Sequence, residues 1–316
     1  MNPLSMVFGA GVAIRNALYD RRVFPVKKLV RPVVSIGNIS VGGSGKTPFV
    51  IALGQLLTER GIAFDVLSRG YGRTSTEIAV VDPNGSLAKF GDEPLLIAQK
   101  LQAPVIVGAD RYQAGILAEE KFSSQLHLLD DGFQHRRLHR DFDIVLLPAE
   151  DQNGLLLPMG RLREPLTALD RSDAVVLPDS PERQLRVKNI WYARRVVDVP
   201  AASGKMIAFS GIGRPKQFFD ALKSANPEIA GTITFPDHHR YDQRDVDRLL
   251  ALKKQTSAES FVTTEKDLIN LGALSSQLSP LLTAKLRIEL ESPQQVVIEI
   301  IKTIEQRSRQ QIVSPA

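Results

Sequence analysis

From Ser40 to Pro48 the chain reads Ser-Val-Gly-Gly-Ser-Gly-Lys-Thr-Pro, small residues ending in a lysine and a hydroxyl, and that mixture suits the binding of phosphate. Gly42, Gly43 and Gly45, with Val41 and Ser44 between and beside them, would let backbone N–H groups turn inward around phosphate oxygens. Lys46 would reach the outer phosphates of a nucleoside triphosphate, and the Thr47 hydroxyl would sit on Mg²⁺. The phosphate-loop pattern G-x-x-x-x-G-K-[ST] is broken at its first position, where Ser40 stands. An ordinary glycine-rich turn with a chance Gly-Lys-Thr is the alternative reading.

Four other groups of residues have types that could do chemistry. Asp130 and Asp131 end an apolar run (Leu126 to Leu129), as a second Mg²⁺-binding element does in phosphate-loop enzymes; alone, the pattern is also that of any strand followed by a turn. Asp92 and Glu93 precede Pro94, where acidic residues cap a helix or, on a functional reading, Asp92 accepts a proton. His238 and His239, two of the five histidines, adjoin Asp237; no further His or Cys completes a metal set, so a solvated pair or a proton relay with a remote carboxylate are the readings left. Arg69 and Arg73 flank Tyr71 at the end of a predicted strand, and Arg111 lies in the first turn of a predicted helix, where a cation opposes the helix dipole unless an anion offsets it. Solvated arginines around a tight Gly-Tyr-Gly turn are the plain alternative.

The elements around these residues occur in an order that can position them. A short strand should follow Arg31, the glycine turn comes next, and an apolar-periodic helix should begin at Lys46 with Pro48 in its first turn, where a missing N–H costs nothing. Strands are predicted near 63–67, 78–82, 104–107, 126–129, 143–147 and 174–178, with helices between several of them, the alternation of a parallel α/β sheet. Arg163 and Glu164 sit before Pro165 in a proline-bracketed segment that would form a loop over the site. A new strand–helix series begins near Met206, after an alternating stretch at 189–199 that suits an extended strand or hairpin arm. Only a short polar tail is expected after Arg307. The expected organisation is an N-terminal helix (1–25), a phosphate-loop domain (26–185), a hairpin or linker (186–200) and a smaller α/β domain (201–316) that closes over the site.

Composition narrows the partners. With 43% hydrophobic and 24% charged residues the chain reads as globular, and the absence of cysteine rules out disulfides, thiol catalysis and thiolate metal sites. The formal net charge of +5 equals the local excess in residues 15–31, which hold six Lys/Arg and one Asp. The rest is nearly balanced, unlike a nucleic-acid binder. Just before that basic segment, residues 3–14 are uncharged and mostly apolar, too short to span a bilayer, which takes ~20 residues. Leu4, Val7, Phe8, Gly11, Ile14 and Leu18 recur at helical spacing, which suits a helix lying in a membrane interface; packing on its own domain is the alternative.

Taken together, SIGNISVGGSGKTP, SRGYGR, GDEP, LLDDGFQHRRLHRD, LREP, FSGIGRP, FPDHHRY and TTEKD resemble the tetraacyldisaccharide 4′-kinases, nearly from end to end. The resemblance implies a P-loop NTPase-like, mainly parallel sheet flanked by helices, with a second, smaller α/β domain and an N-terminal membrane-associating helix at the cytoplasmic face of an inner membrane. It implies ATP-dependent phosphorylation of the 4′-hydroxyl of a tetraacylated glucosamine disaccharide 1-phosphate, with ATP and Mg²⁺ as cofactors. On that reading Val41 to Thr47 cradle the ATP phosphates, and Thr47, Asp130 and Glu164 organise Mg²⁺. Asp131 and Gln134 line the same site, Asp131 among the metal-organising groups and Gln134 toward ATP. The base is an Asp–His dyad that maps to Asp92 and His238. Arg69, Arg73 and Arg111 are assigned to substrate anions on charge and position. Two rivals remain: a GTPase-like switch, against which no Asn-Lys-x-Asp element is found, and a non-catalytic ATP-binding protein of the membrane surface, which leaves Asp92 and His238 unexplained.

Overall fold

In the computed structural model, residues 3–178, 185, 187–201, 204–225 and 228–313 are described, the last three in backbone only. The strands run β1 Val33–Asn38, β2 Phe64–Ser68, β3 Ala79–Val80, β4 Val105–Val107, β5 Leu126–Asp130, β6 Phe142–Leu146, β7 Ala174–Leu177, β8 Asn189–Asp198, β9 Met206–Ser210, β10 Ile229–Thr234, β11 Ser260–Thr264 and β12 Leu281–Leu290. The helices are α1 Pro3–Asp20, α2 Lys46–Glu59, α3 Leu87–Phe90, α4 Asp92–Lys100, α5 Arg111–Lys121, α6 Pro215–Ser224, α7 Gln243–Thr256, α8 Glu265–Leu271 and α9 Pro293–Val313.

The strands form a 12-stranded sheet in the order β10-β9-β11-β12-β8-β7-β6-β1-β5-β2-β4-β3. Strand β1 is buried along its whole length and pairs in parallel with β5 and β6, as a central strand covered on both faces must. On one face α2 sends Phe49, Val50, Leu53 and Leu57 into the main core, each almost wholly buried and contributing about 1.5–3 kcal/mol. On the other, Leu29, Val33, Leu67, Ile106 and Leu129 pack with Ala114 and Ala118 of α5. Pairing is parallel from β8 to β4, with β3 as a short antiparallel edge. The observed fold class is the mostly parallel α/β sheet predicted from the sequence.

Two boundaries differ from expectation. The alternating stretch expected as a hairpin or linker is the ten-residue strand β8, whose first residues pair in parallel with β7 and whose remainder pairs antiparallel with β12. The alternation was read correctly as extended chain, but both edges are filled, so β8 joins the two halves of one sheet. The chain beyond Arg307 continues as helix to Val313. Earlier turns of that helix put Val296, Val297, Ile300 and Ile304 into the core of α2, β1 and β6, beside Trp191. Residues 293–313 thus pack with the first half of the chain although they follow the second. That second half carries α7 on one face of β9–β11, and α6 on the other.

Helix α1 has two unlike faces. Ser5, Asn16 and Tyr19 turn toward the protein: Ser5 Oγ donates to the Leu156 carbonyl (3.2 Å), Asn16 Nδ2 donates to Glu164 Oε2 (2.8 Å), and Tyr19 is buried. Leu4, Met6, Val7 and Ile14 are exposed, near-uniformly apolar. Among the described residues no helix is long and apolar enough to cross a membrane.

Candidate active site

Tight turns place the phosphate loop. Gly42, Gly43 and Gly45 all have positive φ (67°, 55° and 89°), a region that glycine enters without strain, and Gly45 stands at the N-terminus of α2. At Gly43 the space is also taken: a Cβ there would lie 2.5 Å from Cγ of Arg214, from the loop after β9. Ser40 is fully buried and its hydroxyl donates to Asp151 Oδ2 (2.6 Å), a carboxylate that also takes the Arg214 guanidinium (2.6 Å). The serine that breaks the usual pattern therefore ties the loop to both halves of the chain, which glycine could not do.

Lys46 Nζ stands 3.4 Å from Asp131 Oδ1 and 3.4 Å from Asn38 Oδ1. Arg163 reaches the same two residues, 3.1 Å from Asp131. Burial would raise the Asp131 carboxyl, but the two cations overcome it and hold its pKa down at about 2. Asp130, at the carboxyl end of β5, behaves in the opposite way. Its burial, with Glu93 and Asp131 near, raises its pKa, and although Ser68 Oγ donates to Oδ2 (3.0 Å), Oδ1 is buried without a hydrogen-bond partner. A buried carboxylate oxygen lacking a partner, with Thr47 lining the same cavity, is a place that a hard cation fits. No group of three or more His, Cys, Asp or Glu fit to hold a metal occurs among the described residues. Mg²⁺ bound with one or two carboxylates, a hydroxyl, waters and the phosphates of a ligand needs no such group.

Across the cavity, His238 Nδ1 lies 2.9 Å from Asp92 Oδ2, bringing together residues 146 positions apart. Asp92 opens α4 after Gly91, whose φ of 86° lets the chain pass Tyr71; the carboxylate's other oxygen accepts the Glu93 N–H (2.9 Å), and Asn270 Nδ2 lies 3.4 Å from the first. Burial works against ionisation of Asp92, yet the hydrogen bond from His238 and the charge of Lys266 bring its pKa to about 2. His238 has a left-handed backbone (φ 58°), unusual for a residue with a side chain, and its N–H is held by the Gly211 carbonyl at 3.1 Å. Its ring packs against Tyr71, with centroids 4.8 Å apart. His238 lines the cavity; Asp92, 3% exposed, lies behind it. His239 instead faces Asp245 (2.8 Å), next to the capping box of α7, which accounts for it as a structural residue.

One cavity of about 530 Å³ joins these parts. Its polar end carries the phosphate loop, Ser68, Arg69, Tyr71, Asp130, Asp131, Arg163, Asp237, His238 and Lys266. The other end is lined by Pro48, Ile51, Val197, Phe218, Ala284 and Leu286, with Gln217 and Arg195 beside them.

Four sequence-predicted site residues lie elsewhere. Gln134 Nε2 donates to the Asn38 carbonyl (2.9 Å) and to Glu164 Oε1 (2.8 Å), and does not line the cavity. Glu164 is 1% exposed, and its carboxylate is already engaged by Asn16, Gln134 and Arg171. With three donors on its oxygens and its side chain outside the cavity lining, it takes part in a buried network that ties α1 to the back of β1. Replacing Glu164 by alanine should cost about 3 kcal/mol of unfolding free energy in denaturant titration, since it leaves the Arg171 cation buried and unpaired. Arg73 bends back to the Glu77 carbonyl (2.6 Å) and packs on Gly70. Arg111 is 6% exposed and donates to the Ala109 carbonyl (2.7 Å); burial and Arg69 lower its pKa, and it does not line the cavity. Conversely, Asn38, Arg195, Arg214 and Lys266 were not singled out from sequence. The local signal for the last two is slight: a Gly-Arg-Pro turn and a Glu-Lys-Asp helix start.

The sequence profile of the family described as Tetraacyldisaccharide-1-P 4'-kinase matches residues 1–305. A Tetraacyldisaccharide 4'-kinase of Koribacter versatilis is 49% identical over 97% of this chain and 99% of its own length. One of Geobacter metallireducens is 35% identical over 95% and 96%. Among solved structures, the crystal structure of LpxK from Aquifex aeolicus, described as an "apo" form in complex with ATP, superposes with a TM-score of 0.78 at 34% identity, covering 96% of this chain and 98% of that one. The chain therefore belongs to the tetraacyldisaccharide-1-P 4'-kinase family.

Proposed function

We propose that this chain transfers the γ-phosphoryl group of ATP to the 4′-hydroxyl of a tetraacylated glucosamine disaccharide 1-phosphate, with His238 taking the hydroxyl proton and Asp92 orienting it. The observation that carries the reading is the 2.9 Å Asp92–His238 pair facing the phosphate loop across one cavity. A switch or a storage protein has no use for a base at that position; a kinase acting on a hydroxyl does.

The residues divide the work. N–H groups from Gly42 to Thr47 and the N-terminus of α2 receive the phosphates, and Lys46 spreads charge over the outer oxygens. The apolar end beside Pro48, Ile51, Val197 and Leu286 receives the adenine. Thr47, Asp130 and Asp131 would hold Mg²⁺, which supplies charge neutralisation between the outer phosphates. His238 presents a ring nitrogen to the cavity, while Asp92 behind it accepts the Nδ1–H and stabilises the imidazolium that forms, the division of labour of a hydrolase triad. Arg69 is the cavity-lining arginine left to meet an anion of the lipid headgroup. If this reading holds, ATP should be consumed only when the disaccharide lipid is present and GTP should not compete; steady hydrolysis of ATP without lipid would contradict it.

The outer face of α1, with Leu4, Met6, Val7 and Ile14 exposed above a basic segment, supports contact with an anionic membrane surface where the lipid resides, at the cytoplasmic face of an inner membrane. Changing Val7 and Ile14 together to aspartate should abolish co-sedimentation with anionic vesicles. Turnover of substrate dispersed in detergent should stay within about twofold, because neither side chain touches the cavity. Unchanged sedimentation would rule out this face as the contact.

A further inference from the structure

Of the motifs singled out in the sequence, Thr-Thr-Glu-Lys-Asp at 263–267 has no part in the reaction described so far, yet its Thr264, Glu265 and Lys266 line the cavity. Thr264 caps α8, accepting the Asp267 N–H, and Asp267 in turn takes the Gly211 N–H (2.8 Å) and the Tyr241 hydroxyl (2.9 Å). The second residue of the helix is Lys266, its side chain 15% exposed, and its stem is thereby aimed at the dyad.

The lysine nitrogen stands among four groups at once. It is 3.4 Å from His238 Nε2, 3.3 Å from Asp237 Oδ1, 3.5 Å from Asp92 Oδ2 and 3.6 Å from Glu93 Oε1. The ionised Asp92 accepts the Nδ1–H, so the neutral ring keeps its lone pair on Nε2 for the hydroxyl proton. We propose that Lys266 is a positioning residue for phosphate transfer: placed beside Asp92 and Asp237, its charge offsets the carboxylates that would otherwise keep His238 protonated, so that the ring meets the hydroxyl neutral.

The charges facing the ring bear this out element by element. From α4 comes Asp92, from the loop before the histidine comes Asp237, and from α8 comes Lys266; Glu93 meets the lysine, Asn270 meets Asp92, and Tyr71 covers one face of the ring. Without Lys266, the two carboxylates that face the imidazole would lose the cation beside them, and the protonated ring would be favoured. A protonated ring is no base. The pKa directions agree with the geometry: burial lowers that of His238, the hydrogen bond to Asp92 raises it, and Lys266 pulls it down again. Lys266 itself stays charged, since the attraction of Glu93, Asp92 and Asp237 outweighs its burial.

The inference rests on the reading of Asp92 and His238 as the base, and the experiment separates the two. The pH dependence of phosphate transfer is measured for the full chain with ATP, Mg²⁺ and lipid disaccharide, in wild type, Lys266→Met, Lys266→Arg and His238→Ala. In Lys266→Met the acid limb should move up by about one pH unit, because both His238 and Asp92 lose a neighbouring cation. The rate near neutrality should fall about tenfold and recover at higher pH, and Lys266→Arg should keep the wild-type limb. A limb that stays in place in Lys266→Met, with His238→Ala inactive, overturns the role of Lys266 alone. A fully active His238→Ala overturns the base itself. Should the methionine variant fail to fold, Lys266→Gln takes its place and the His238 ring is titrated by NMR: a pKa about one unit above that of the wild type supports the inference, and an unchanged one overturns it.

Discussion

Replacing His238 by alanine is expected to lower the rate of phosphate transfer by about 10³-fold while ATP affinity stays within about twofold. The sugar hydroxyl must lose its proton as it attacks, and His238 is the imidazole that lines the cavity, paired to the buried carboxylate of Asp92. ATP should still bind, because the phosphate loop makes no hydrogen bond to the ring. Asp92→Asn should be nearly as severe: the amide cannot accept the Nδ1–H in the same way, and the ring loses its orientation. Rapid-quench turnover together with equilibrium nucleotide binding separates the two quantities. In the wild type, transfer should rise with pH through an acid limb above the ordinary imidazole value. Burial works against protonation of His238, but the bond to Asp92 outweighs it, so the raised pKa keeps the ring protonated to higher pH.

Lys46→Met should be as damaging in a different way, lowering transfer by about 10³-fold and weakening ATP binding as well. Lys46 stands 3.4 Å from Asp131, so its removal leaves that carboxylate to Arg163 alone and turns a balanced site into an acidic one. An incoming triphosphate would then meet Asp130 and Asp131 with one cation fewer. Loss of both binding and turnover is the signature that distinguishes this lysine from His238, whose loss should touch the chemistry only. Binding by calorimetry and single-turnover transfer measure the two effects.

How much of this was legible in the sequence follows from what each feature depends on. Strand β1, the glycine turn and α2 are a local pattern, set by burial period and turn chemistry, and the sequence reading of them agrees with the structure. Helix α9 was missed because its apolar residues pack against Trp191 and Phe142, partners over a hundred positions away. The pairing of Ser40 with Asp151 and Arg214 is of the same kind: the departure from the phosphate-loop pattern is visible in the sequence, but its partner is not. Asp92 and His238 came from family resemblance and not from spacing, since nothing local announces a contact across 146 positions. Gln134 and Glu164 were assigned through the family resemblance, and here they engage each other outside the cavity lining. Asp131 (φ 50°) turns the chain sharply after β5, so neighbours in the sequence part ways, Asp130 into the cavity and Gln134 toward α1. Lys266 shows the converse, a residue in an inconspicuous motif that the fold carries to the dyad.

The central claim is that one cavity aligns the terminal phosphate of ATP with a hydroxyl activated by His238. Its most direct test is to identify the product when the purified protein is given ATP, Mg²⁺ and tetraacylated disaccharide 1-phosphate. The expected result is a lipid that has gained one phosphate at the 4′-oxygen, with one ADP formed for each. Inorganic phosphate in place of phosphorylated lipid, or phosphate at another oxygen, would contradict it.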